Sequence, residues 1–236
     1  MYNNQNLELF LMNYFNKKIT EITDEEINNL ETLSLDGIDI SGIYEKIDFE
    51  FVISLFPNLK KIVINNYVFS DEDVESINKS SARKFVFYNC DFTKIKKYDI
   101  LKTADELYFE RCNFEKNDVL YNEFSNIKVL SVINPSNEEE IDIEKISSTT
   151  IVKMYLENCI ISNQKSINKF ENLEYLDIIN TSIGKMFIEG LLECGKLREL
   201  HVLEKYLNDE EKNKLVQKNI IIKYDNNEEL FEREEI

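Results

Sequence analysis

Three stretches of the chain, FVFYNCDF (85–92), LYFERCNF (107–114) and MYLENCII (154–161), set Cys90, Cys112 and Cys159 at the same point of one recurring phrase. Recurring thiols can ligate a metal, attack an electrophile or pair as disulfides. A structural zinc centre needs about four Cys or His ligands converging within bonding distance. Here the fourth cysteine, Cys194, belongs to a different kind of segment, and the single histidine is His201. A nucleophilic thiol needs exposure and an electropositive setting, and the recurring phrase supplies neither. Other chemistry is equally thin. Five glycines in 236 residues leave little from which to build a phosphate-cradling loop. The segment from Asp71 begins like a calcium loop but has Ser76 where the sharp turn needs Gly and Ala82 where a bidentate Glu belongs. The expectation is no catalytic residue, no metal and no cofactor.

The cysteines gain meaning when their neighbours are aligned. Apolar-x-apolar pairs fall at Leu33/Leu35, Ile62/Ile64, Phe85/Phe87, Leu107/Phe109, Leu130/Val132, Met154/Leu156, Leu176/Ile178 and Leu200/Val202. Successive pairs are 29, 23, 22, 23, 24, 22 and 24 residues apart. Three residues before each pair stands a mostly apolar position: Leu30, Leu59, Ala82, Ala104, Ile127, Ile151, Leu173 and Leu197. Five residues after the first member come Cys90, Cys112, Cys159 and Thr181, and two further on Ile40, Phe69, Phe92, Phe114, Ile161, Ile183 or Leu207. A strand with alternate apolar residues has one face to bury, and stacking like strands about 4.8 Å apart buries it against neighbouring coils. At the position shared by Cys90, Cys112, Cys159 and Thr181 the side chain is expected to face inward, as a small group donating weakly to a carbonyl of the next coil.

This L-x-x-L-x-L-x-x-(N/C)-x-L phrase resembles the leucine-rich repeat family over residues 29–207. The resemblance implies an α/β fold, a leucine-rich repeat solenoid of about eight units: a right-handed curved horseshoe with a parallel β-sheet on the concave side and helices or helical turns on the convex side. It also implies a short repeat-only protein, not an enzyme, that holds a protein partner on its concave face. The inward position departs from the family pattern at Ile38, Tyr67, Pro135 and Lys205. Irregularity is expected most strongly over 134–145.

The ends read as caps. Leu7, Phe10, Leu11, Tyr14 and Phe15 have the spacing of an amphipathic helix, and Thr23 with Glu26 reads as the capping box of a second. Residues 1–28 are thus a helical N-terminal cap. Residues 208–236 form a C-terminal cap and acidic tail, with helix over 208–218 and a final strand over 219–225. Between the strands, apolar residues at three- and four-residue spacing predict helical segments over 49–58, 71–81, 94–104, 165–172 and 184–196.

Strand alternation sends the residues beside each apolar pair to the concave face. That face carries Tyr88, Tyr108, Ile133, Tyr155, Tyr175, Asp177, Ile179 and His201. Tyrosine offers large rigid area with a polar tip and is enriched at binding hot spots, so these residues are the candidate partner-binding set.

The net charge of −17 argues against nucleic acid and anionic membranes as partners. The runs 70–75, 135–145 and 225–236 carry −4, −4 and −5, which puts most of the acidity off the sheet. No secretory leader and no apolar run long enough to span a bilayer is read. The expected location is cytoplasmic, where thiols stay reduced, and a monomer is expected. An alternative reading is an inhibitory or immunity-type protein whose acidic surface neutralises a basic partner such as a nuclease toxin.

Overall fold

The computed structural model describes residues 5–38, 46–96, 101, 103–114, 118–121, 126–135, 140–147 and 150–224. Each apolar pair lies within a short strand, except that Ile178 falls one residue past its own: β1 Thr32–Asp36, β2 Lys61–Asn65, β3 Lys84–Tyr88, β4 Glu106–Glu110, β5 Val129–Ile133, β7 Lys153–Glu157, β9 Tyr175–Asp177 and β10 Glu199–Val202. With β11 (Ile221–Tyr224) they form a nine-stranded sheet in the order β1-β2-β3-β4-β5-β7-β9-β10-β11. Every pairing is parallel, and Leu33, Ile62, Phe85, Leu107, Leu130, Met154, Leu176, Leu200 and Ile222 are successive register partners. Strands β6 (Ile141–Asp142) and β8 (Ile161–Ser162) pair separately. The 134–145 segment thus leaves the β5–β7 register intact; residues 136–139 lie outside the described part.

Parallel neighbours need a crossover connection, and helices supply several. The N-terminal α1 spans Gln5–Phe15 and packs on β1, with Leu7 and Leu11 fully buried. Short α2 (Asp24–Asn28) begins with the Thr23/Glu26 capping box. The same device opens α4 (Asp71–Ile77) with Ser70 and Asp73, and α6 (Asp209–Gln217) with Asn208 and Glu211. Helix α3 (Phe49–Leu55), a 3-10 turn at Gln164–Lys169 and α5 (Lys185–Glu193) fill the remaining helical segments within the described residues. Their buried side chains join one core with the strand pairs. Helix α5 approaches the 3-10 turn closely at Gly190, where a Cβ would lie 2.6 Å from both Ile167 Cγ2 and Lys165 O. The expected 94–104 helix is not seen in its described residues, 94–96, 101, 103 and 104, which are turn or irregular; 97–100 and 102, with all of 225–236, lie outside the described residues.

The turns after β2, β3, β4, β5, β7 and β9 share a repeating device. Asn66, Asn89, Arg111, Asn134, Asn158 and Asn180 are all left-handed, with φ between 49° and 54°. Asparagine tolerates this conformation better than most residues. In the first five, the backbone N–H donates to a carbonyl of the following repeat: Tyr88, Glu110, Ile133, Glu157 and Ile179 in turn, at 2.8–3.1 Å. Side chains add Asn89 Nδ2 to Asn66 Oδ1 at 2.7 Å and Asn158 Nδ2 to Asn134 Oδ1 at 2.5 Å.

The residue after each left-handed turn points inward. Cys90, Cys112, Cys159 and Thr181 are buried. Their acceptors belong to the preceding strand, not the next coil: Cys90 Sγ donates to Ile64 O (3.4 Å), Cys112 Sγ to Phe87 O (3.3 Å), Cys159 Sγ to Val132 O (3.4 Å), and Thr181 Oγ1 to Leu156 O. Tyr67, too large for the repeat pattern, is nonetheless buried, with its ring packed edge-on to Phe49 and Phe69.

Candidate functional site on the open face of the sheet

The four cysteines offer no reactive centre. Burial pushes the Cys159 and Cys194 thiols up to about 12, helped by Glu157 and Glu193 respectively. Burial, then the adjacent Cys90 thiol, raises Cys112 as well. Cys194 caps α5 and its Sγ faces Ile167 O. Among the described residues, no three His, Cys, Asp or Glu side chains converge in a way that would hold a metal ion. No helix among them is long and apolar enough to cross a membrane.

The sheet face turned away from the core holds the predicted binding residues, and the structure divides them. Ile133 and Ile179 are only 7% exposed and Asp177 only 5%, because neighbouring side chains cover them. They form the floor of the face. Tyr88, Tyr108, Tyr155, Tyr175 and His201 are partly exposed and stand on that floor. The rest of the floor, put on this face by alternation but outside the candidate set, is Val86, Val129, Ser131 and Glu157.

Two clusters rise from it. In the first, Lys84 Nζ lies 4.7 Å from the Tyr108 ring centroid and 3.4 Å from Glu106 Oε2. Tyr108 donates its hydroxyl proton to the same Glu106 oxygen at 3.1 Å. Register explains the meeting, because Lys84 pairs with Glu106 and Val86 with Tyr108 across β3 and β4. Burial, then Glu106, holds the Tyr108 phenol well above its usual range. Tyr88 is raised by burial and then by Glu110.

In the second cluster the Tyr155 and Tyr175 rings are 5.1 Å apart, and the His201 ring is 5.0 Å from Tyr175. Tyr175 Oη lies 3.4 Å from His201 Nδ1, while His201 Nε2 lies 2.7 Å from Glu199 Oε1. Asp177 Oδ2 is 3.7 Å from His201 Nδ1, and its Oδ1 accepts from Ile179 N at 3.2 Å. Lys223 reaches Glu199 at 2.7 Å from β11. Burial is the largest cause of the raised Tyr175 phenol, followed by Asp177, Tyr155, Glu199 and Glu157. Hydrogen bonds from Lys223 and His201 lower Glu199. The result is a row of neutral phenols with carboxylates beneath and beside them, suited to contact and hydrogen bonding. The candidate set omits Lys84, Glu106, Glu157 and Glu199, which strand alternation puts on the same face, and Lys223 of the last strand.

No protein-family model matches this chain, and no curated protein matches it.

Proposed function

We propose that the chain is a leucine-rich repeat solenoid that binds a protein partner through the open, concave face of its sheet and catalyses no reaction. The observation that carries this reading is the in-register ladder running from Leu33 to Ile222 with tyrosines standing on its outer face. One backbone unit repeated along one direction makes a long face of uniform spacing, the arrangement by which stacked repeats create extended binding surfaces. Rigid aromatic side chains on that face give contact area at small entropic cost. The buried thiols with raised pKa, and the hydrogen-bonded carboxylates, support a binding role over a catalytic one.

Affinity capture from the native host tests the reading, with the wild type compared against Tyr108→Ala/Tyr155→Ala. The expected result is a specific partner whose recovery falls at least tenfold with the double variant. Undiminished recovery would remove the open face as the site.

A further inference from the structure

The two tyrosine clusters share a chemistry that points to what the partner presents. In the first, the chain seats one of its own cations: the Lys84 ammonium lies over the Tyr108 ring and beside the Glu106 carboxylate. An aromatic face attracts a cation through its quadrupole and a carboxylate through its charge, so the two reinforce each other. The second cluster brings the same groups together on a larger scale. The Tyr155 and Tyr175 rings are inclined at 42° to each other. Glu199 is the register partner of Tyr175 and Asp177 that of Tyr155, with Glu157 on the same face, and burial followed by these charges raises the Tyr175 phenol. Glu199 already accepts an ammonium, that of Lys223. Counting Lys153, the register partner of Tyr175, three carboxylates face two ammonium groups, so this half of the sheet stays acidic.

We propose that the Tyr155–Tyr175 shelf receives a cationic side chain of the partner, an arginine above all, laid on the rings with its charge toward Glu199, the part-exposed carboxylate paired in register with Tyr175. Arginine fits better than lysine because its planar guanidinium stacks on a ring while its fork reaches a carboxylate. The inference rests on the protein-binding reading above and specifies the partner's chemistry: a basic loop or terminus with an exposed arginine.

Calorimetric titration of the full chain with hexa-arginine, hexa-lysine and hexa-glutamate peptides at 150 mM salt tests it. Hexa-arginine is expected to bind more tightly than hexa-lysine, with no heat from hexa-glutamate. Tyr155→Leu/Tyr175→Leu should weaken hexa-arginine at least tenfold, and Tyr155→Phe/Tyr175→Phe should stay within threefold because the ring faces remain. Equal affinity for the wild type and the leucine pair would reduce the effect to bulk attraction by an acidic chain and overturn the proposal, as would binding of hexa-glutamate. Should the leucine pair fail to fold, Glu199→Gln replaces it: a fivefold loss supports the site and no loss removes it. Failure here is separable from failure of the broader reading. If the host partner is lost with Tyr108→Ala/Tyr155→Ala while the leucine pair leaves hexa-arginine unchanged, only the cation site falls. If hexa-arginine depends on the rings while partner capture ignores them, only the open-face protein reading falls.

Discussion

From β2 to β4 the phenyl rings of Phe69, Phe87, Phe92, Phe109 and Phe114 stack through the core, with Phe69–Phe92 centroids 4.8 Å apart and Phe92–Phe114 5.6 Å. From β7 to β10 the repeat positions facing the core hold Met154, Leu156, Leu176, Ile178, Leu200 and Val202 instead, and the rings in contact, tilted at 42° and 52°, are Tyr155, Tyr175 and His201 on the opposite face. The backbone ladder is continuous through both regions. What differs is the core side, aromatic in the first region and aliphatic at the strand positions of the second, for Tyr88 and Tyr108 put rings on the open face of β3 and β4 as well; a shift of one position along a strand changes the side a residue takes. Rings inside are fully desolvated and contribute packing. Rings outside stay partly exposed.

The sharpest way to break this comparison is to remove one ring from each region. Phe92→Ala empties a site touched by four other phenyl rings, and should cost about 4 kcal/mol. Tyr155→Ala, on the half-exposed face, should cost about 1 kcal/mol or less. Urea unfolding of the two variants side by side decides it, and similar losses would erase the distinction.

The thiols sharpen the contrast between floor and core by pH. Cys159 and Cys194 are raised to about 12 by burial in the folded chain, against about 8.5 when unfolded. Raised thiols favour the folded state fully below pH 8.5, and that advantage is lost as pH climbs toward 12. By pH 10 each should have surrendered about 1–2 kcal/mol of stability. A Cys159→Ala variant should therefore show a shallower decline of stability between pH 8 and pH 10 than the wild type, and identical slopes would contradict the burial.

Smaller effects probe the turns. Thr181→Val removes the donor to Leu156 O and the acceptor of Cys159 N, and should cost about 1–2 kcal/mol in thermal unfolding, because both backbone partners are buried. Arg111→Asn should do the reverse. Arg111 is the only non-asparagine among the six left-handed strand-end residues at φ 54°. Placing asparagine there should add about 0.5–1 kcal/mol, since the left-handed conformation suits it better. A lower melting temperature for Arg111→Asn would show that the arginine side chain contributes more than its backbone costs.

Much of the architecture was legible because repetition multiplies a weak signal. One apolar-x-apolar pair specifies nothing, yet eight at similar spacing defined the strands, and their observed register is the one the spacing implies. Capping at Thr23 and the helices over 49–58, 71–81 and 184–196 were legible for local reasons, since caps and amphipathic spacing act within a few residues. The asparagine column was equally local and still went unread: it stands one residue before the cysteines that drew attention, and only the left-handed backbone shows why asparagine recurs there.

The candidate site was legible as columns, not as contacts. Alternation assigned Tyr108, Tyr155, Tyr175 and His201 to one face, because a strand has a period of two whatever surrounds it. It could not distinguish exposed Tyr155 from floor-forming Ile133 and Ile179. Nor could it bring Lys84 over Tyr108 or raise the Tyr175 phenol by burial and the charges of three strands. Those outcomes depend on how neighbouring strands stack and how far their side chains lean across. By itself the sequence determined the spacing of the strands and the face each residue takes, since both follow from local periodicity. Only the tertiary structure decided which residues of that face are covered and which charges meet which rings, because covering a side chain takes atoms about 23 residues away along the chain.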